Sequence, residues 1–442
     1  MAEFDESVRD RDDDVAVYEA DTEGPPAGIA RGRTFDSFRH RDFRHFWSGA
    51  LVSNAGSWMQ IVALGWLVYE LTGSELALGA VNFVQGVPVL LFILYAGAAA
   101  DRFDRRRLLI WLQLAMMGQA IVLGVLTSTG HVTMPAVYAL TLFGGTMTAF
   151  MFPAWQATVP DLVPKRLLLN AIALNSAQFN GARLVGPMIG ALIFARFGVA
   201  EVFYVNAATF LVVIWALAVI RPAQERHVAE DGESRLRELA GGIGYAREHP
   251  GVAVLLLTTA AITLFGMPFA ALLPAFADKV LGAGSAGYSV LLASNGFGAL
   301  AGALVVAGLP HDVDRGRLVR FAVLAMGLLL LGLAASRAFW LAMLVLVGIG
   351  AAFMTATSSV NTSLQASVPP RLRGRVLSLF VLAFMGIMPF GALVFGAIAR
   401  AIGPEDAIAI GAAVLALVGA LLVLRPSLLA DERPRPAPDA AP

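Results

Sequence analysis

Twelve stretches of mostly apolar residues run along this chain, and no other feature constrains its fold as tightly. They lie at 46–69, 76–100, 108–128, 134–158, 170–195 and 202–220, and then, after one polar interval, at 252–277, 287–309, 318–336, 339–364, 376–399 and 407–424. A helix rising about 1.5 Å per residue needs ~20 such residues to cross the hydrocarbon of a bilayer. There it must satisfy every backbone amide internally, which an α-helix does. The expected fold is an all-α membrane protein with twelve transmembrane helices. Only 14% of the 442 residues are charged and 57% are hydrophobic, against roughly 25% charged in soluble domains.

Several functional classes fall away. The chain has no Cys, which excludes thiolate metal sites and thiol catalysis. Its 32 Lys and Arg balance 32 Asp and Glu, which argues against a nucleic-acid partner. It lacks the Gly-x-x-x-x-Gly-Lys-Ser/Thr loop that cradles nucleotide phosphates. An intramembrane enzyme would need acids, His or Cys within the spans; a non-transporting membrane sensor or receptor, which should carry a sizeable folded signalling domain, stays as the alternative outside transport. No cofactor is expected.

The division of the chain follows from the spans. Residues 1–42 form a tail whose first 24 positions carry ten acidic residues; 43–220 and 251–424 are two six-span halves; 425–442 is a second tail. Both tails have the composition of disordered segments. The connector, 221–250, repeats Leu236, Leu239, Ala240 and Ile243 at helical spacing, as an amphipathic helix on the membrane surface would. With both ends in the cytoplasm, the inner loops hold 17 Lys and Arg and the outer loops only four: Arg196, Lys279, Arg337 and Arg400. Positive charge stays inside, so a plasma-membrane protein with both termini cytoplasmic is expected.

The halves repeat one another. Asp104-Arg105-Arg106-Arg107-Leu108 matches Asp314-Arg315-Gly316-Arg317-Leu318, Val163-Pro164-Lys165-Arg166 matches Val368-Pro369-Pro370-Arg371, and Gly190-Ala191-Leu192-Ile193-Phe194 matches Gly391-Ala392-Leu393-Val394-Phe395. All three pairs fall in chain order at equivalent places, as a parallel duplication requires.

At this point the sequence resembles the major facilitator superfamily over roughly residues 40–425. Gly97, Asp101-Arg102 and Arg105-Arg106 are similar to its Gly-x-x-x-Asp-Arg-x-x-Arg-Arg signature between spans two and three, which implies a cytoplasmic gate of charge contacts. Gly186-Pro187-Met188-Ile189-Gly190-Ala191 resembles the helix-bending element of the superfamily's antiporters, with Ala191 in place of a frequent Gly. Tyr69-Glu70-Leu71-Thr72-Gly73-Ser74 and Pro268-Phe269-Ala270-Ala271-Leu272-Leu273-Pro274 look like the enterobactin-exporter and macrolide-efflux branch. The resemblance implies two pseudo-symmetric six-helix halves and alternating-access export, by proton antiport, of a siderophore, macrolide or other amphipathic molecule. An importer or facilitator of a metabolite is the alternative within transport. The fourth span carries no Arg, so the proton relay that many drug antiporters place there does not transfer.

Charge inside a bilayer marks function by default, and only Arg183 lies deep within a span. Either it meets helix carbonyls and a distant acid such as Glu70, or it awaits an anionic group on the substrate. Asn54, Trp58, Asn175, Gln178 and Asn361 are the polar and aromatic groups expected to share the substrate site with it, and Asn295 in span eight is a further polar candidate. Glu70 and Asp101 are the candidate proton carriers. The expected partners are a small-molecule substrate, protons and lipid, with the chain acting as a monomer.

Overall fold

The computed structural model describes residues 35–220, 235–310 and 313–432. The first six spans become α1 (Arg41–Thr72), α2 (Glu75–Arg102), α3 (Arg105–Ser128), α4 (Met134–Thr158), α5 (Leu168–Phe197) and α6 (Val199–Val219). The connector carries α7 (Arg235–Glu248). The second six are α8 (Pro250–Val280), α9 (Gly284–Gly308), α10 (Arg315–Ala335), α11 (Phe339–Ser367), α12 (Leu372–Ile402) and α13 (Pro404–Leu424). Among the described residues there is no strand. Eleven of these helices are long and apolar enough to cross a membrane. The twelfth, α5, has the length but carries Asn175, Gln178, Asn180 and Arg183 along one helix.

The internal repeat is visible in how the helices begin. Asp104 and Asp314 stand just before α3 and α10, and each carboxylate accepts the backbone N–H three residues on, at 2.8 Å from Arg107 and 2.9 Å from Arg317. An acidic cap satisfies a free amide and faces the positive end of the helix dipole. Within the first half α1 packs against α5 and α6, α2 against α4, and α3 against α6; within the second, α9 packs against α11 and α10 against α11 and α13. Two seams join the halves, α2 against α12 and α5 against α9. Trp111, Trp340, Leu257, Leu304 and Leu417 turn outward, which costs little when the surroundings are lipid tails.

Prolines reshape two helices of the second half. Pro268 and Pro389 cannot donate to the residues four positions back, and just ahead of each the helix widens into a π-turn, at Ile262–Gly266 and Leu382–Gly386. The two widened turns lie beside each other, with Gly391 against the carbonyl of Leu264 and the ring of Pro268.

Order extends beyond the limits read from the sequence. Residues 35–42 fall in the segment expected to lack structure, yet Asp36–Arg39 forms a 3-10 turn and α1 starts at Arg41. Local aromatics explain this: Phe38 packs on Phe43 and Trp47, and Ser37 bonds the side chain of Asn170. At the other end Pro426–Glu432 forms a further 3-10 turn that buries Leu429 against the second half. Residues 1–34, 221–234 and 433–442 lie outside the described residues. Helix α7 rests on the start of α12, where Gly241 and Gly242 lie against Arg375 and the Tyr245 hydroxyl reaches the carbonyl of Ser367 at 3.5 Å.

Candidate substrate site between the halves

Arg183 is 15 residues from one end of α5 and 14 from the other, about 21 Å from each at the helical rise. Mid-depth is where a guanidinium costs most, and the side chain draws on three neighbours. Its Nη2 donates to Asn295 Oδ1 of α9 at 3.2 Å. Its Cζ stands 5.4 Å from the centre of the Trp58 ring on α1 and 5.9 Å from that of Phe353 on α11, within the range of cation–π attraction. Nε is buried without a partner. Four helices from both halves therefore converge on one cation.

The backbone prepares this convergence. Pro187 has no N–H to offer the carbonyl of Arg183, so that oxygen lacks its helical donor, and Gly296 of α9 lies close over it. Gly186 is required by close approach: a Cβ there would sit 2.6 Å from the carbonyl oxygen of Ala55 and from Cβ of Trp58. Its absence lets α5 press on α1 where Trp58 meets Arg183. Gly190 has more room, its Cβ position being 3.3 Å from Met59. The Gly-Pro element thus sets the packing around the site.

Of the residues singled out in the sequence, four come together. Asn54 donates to Gln178 at 3.3 Å, and Asn54 and Trp58 share a face of α1. Gln178 is buried, with its amide nitrogen unpartnered. Phe179 of the same α5 stacks edge-on against Trp58. Asn175 lies one turn before Gln178 and is half-buried. Asn361 lies two turns past Phe353 on α11 and accepts a hydrogen bond from Gln365 of its own helix. Neither bonds Arg183. Glu70 is exposed near the end of α1, far from Arg183.

The basic signature divides differently from expectation. Arg105 Nη1 bonds Asp161 at 3.0 Å and the carbonyl of Ala157 at 3.3 Å; Arg106 caps the end of α6 through the carbonyls of Leu217, at 2.6 Å, and Ala218. These bonds tie α3 to α4 and α6 inside the first half. Arg102 is exposed. Gly97 and Asp101 lie on α2, and the Asp101 side chain falls outside the described residues.

The cross-half links that sequence reasoning missed gather at the opposite end, near the 73–74 turn. Tyr69 donates to Asp278 at 2.9 Å, and Lys279 donates to the buried Glu75 at 2.5 Å and to the carbonyl of Gly73 at 3.4 Å. Beside them α2 and α12 touch backbone to backbone: a Cβ on Gly396 would lie 2.8 Å from the carbonyl oxygen of Glu75 and 3.0 Å from Cα of Gly79.

Two sets of six helices around a polar site at mid-depth define a membrane transporter of the major facilitator type, a multi-pass protein and not an enzyme. The chain belongs to the transmembrane secretion effector family of that superfamily, whose sequence model matches residues 32–437. It is 25% identical to the staphyloferrin A transporter of Staphylococcus aureus over 81% of this chain and 90% of that one. It is 24% identical to macrolide efflux protein A of Streptococcus pyogenes, over 82% and 90%, and 26% identical to the enterobactin exporter EntS of Escherichia coli, over 87% and 92%. A bacterial homologue of the lysosomal transporter Spinster, solved inward-facing and unoccupied, superposes with a TM-score of 0.69 at 15% identity, covering 90% of this chain and 99% of that one.

Proposed function

We propose that this protein exports a small amphipathic molecule across the bacterial plasma membrane by alternating access, in exchange for protons, with both termini in the cytoplasm. The observation that carries this reading is the position of Arg183, at mid-depth on the seam between the halves, with groups from α1, α9 and α11 around it. A site bounded by both halves is exposed to either side when they rock. The excess of Lys and Arg in the loops at the 102–105 end supports a cytoplasmic position for that end. The Tyr69–Asp278 and Glu75–Lys279 links then close the outer face, the state in which an exporter takes up cargo from inside. Efflux and export in the names of two relatives support the direction. Residues 43–220 and 251–424 are the rocking halves, and 221–250 is the tether that α7 fastens to the second. Antiport rests on the resemblance, with Glu70 and Asp101 as its carriers.

The test is transport in inverted membrane vesicles with an acidic interior. Siderophores, macrolides and cationic dyes are added singly while internal pH and labelled-compound uptake are recorded. Uptake with proton release, lost in Arg183→Ala vesicles, is expected for one class. Uptake without any pH change overturns the proton exchange alone; energy-dependent movement only in the opposite direction overturns export.

A further inference from the structure

The reading of Arg183 as part of a substrate site leaves the charge of the cargo open, and the electrostatics around the guanidinium decide it. Every Asp and Glu between residues 41 and 424 lies in a connection, on the connector helix α7, or within four residues of the end of a spanning helix. Among the described residues Arg183 has no carboxylate partner. Its hydrogen-bond acceptor is a neutral amide, Asn295 Oδ1 at 3.2 Å; its Nε is buried with no acceptor at all. A guanidinium only donates, so what the site lacks is an acceptor, and a charged one. The faces of Trp58 and Phe353 supply a partial negative field, but they cannot cancel a full charge.

Asn295 is held for its role. Its amide nitrogen donates to the carbonyl of Leu346 at 3.4 Å, which turns the oxygen toward Arg183. It belongs to α9 while Arg183 belongs to α5, so their bond crosses the seam between the halves. On the same helix as Arg183, and bonded to Asn54 of α1, Gln178 is only 1% exposed and its amide nitrogen has no partner. Two aromatic rings border the cation, surfaces on which a flat apolar body packs well.

We propose that the cargo is an amphipathic anion of the aromatic carboxylate class, whose oxygens replace the Asn295 amide on Arg183. This rests on the reading that the site binds cargo. Empty, the site carries one uncompensated positive charge; loaded with a monoanion it is neutral and crosses mid-depth without that penalty. A neutral isostere leaves the charge standing, and a cation adds repulsion. Asn295 is the specificity-determining residue: it is the stand-in acceptor, and its displacement removes a bond between α5 and α9 at the moment of loading.

The experiment compares three probes of one shape, 2-naphthoate, 2-naphthamide and 2-naphthylmethylammonium, binding to the full-length protein in lipid nanodiscs. The carboxylate is expected to bind at least about tenfold more tightly than the amide, and the ammonium not at all. Arg183→Gln removes the preference. Asn295→Asp gives Arg183 a carboxylate of its own, so this variant melts at or above the parent temperature and loses most of the tenfold preference. It tests the assignment even if Arg183→Gln fails to fold. Equal binding of carboxylate and amide, binding of none of the three, displacement of naphthoate by chloride or phosphate at equal concentration, or an unchanged preference in Asn295→Asp overturns the anion assignment. Arg183-dependent vesicle transport of a neutral or cationic compound would overturn it too, yet leave the transport reading in place.

Discussion

Residues in a bilayer become legible through cost. Asn54, Gln178 and Arg183 stand out in the sequence because each carries polar atoms that hydrocarbon cannot satisfy, and the structure draws them together with Trp58. The Arg105–Asp161 pair shows the same economy at the helix ends. Its side chains are 13% and 16% exposed, so water supports neither charge well. Asp161→Asn keeps an acceptor but removes the countercharge, and the expected loss is about 1–2 kcal/mol, below that of a fully buried pair. Melting of the variant in detergent checks it: a shift no larger than that of Asp104→Asn at the exposed cap would show that the pair adds nothing. Other residues are silent for the opposite reason. Phe353 fits lipid, core or site equally well, so nothing in the sequence separates it from the other 26 Phe. Glu75 and Asp278 stand at helix ends, where charge is ordinary, and only the folded halves bring them to Lys279 and Tyr69.

At the scale of the element, apolar length gave the spans and the duplicated loop gave their grouping, since both follow from local physics. What escaped were features made by packing between helices. One π-turn in each of α8 and α12 precedes a Met-Pro pair, but a proline alone does not say whether a helix breaks, bends or widens. Helix α5 lies on the seam, where its Gln178 meets Asn54 of α1 and its Arg183 meets Asn295 of α9. Its fit depends on missing side chains, and this can be ranked. Gly186→Ala places a methyl 2.6 Å from the carbonyl oxygen of Ala55 and Cβ of Trp58, whereas Gly190→Ala places one 3.3 Å from Cα, Cβ and Cγ of Met59. Overpacking of the first kind costs about 1–3 kcal/mol, and the second less. Gly186→Ala is therefore expected to melt lower than Gly190→Ala, and to weaken probe binding by tilting Trp58. The reverse order of melting would mean that α5 and α1 are not pressed together at the Gly-Pro element.

For the whole molecule the governing quantity is the balance between states that expose the central site to opposite sides. Two described charge contacts fasten the halves at the 73–74 end. Glu75 is the buried member of its pair and Lys279 the half-exposed one, while Tyr69 bonds Asp278 on the neighbouring turn. Hydrogen bonds to charged groups contribute about 1.5–3 kcal/mol each, so removing one is expected to change the ratio of states by roughly ten- to a hundredfold. Glu75→Lys sets two ammonium groups against each other across the seam and should drive that end apart. Adding Lys279→Glu restores an opposite pair with the polarity exchanged. Spin labels at Ser74 and Leu281, one on each half, report the separation. The single variant should populate a longer distance and the double variant should return toward the parent distribution. If the single variant leaves the distribution unchanged, backbone contact at Gly79 and Gly396 closes this end without help from the charges. If the single variant opens the end but the double does not close it, the position of the buried carboxylate on α2 is what matters, because there the chain already surrounds the Glu75 side of the pair and only Lys279 reaches toward water.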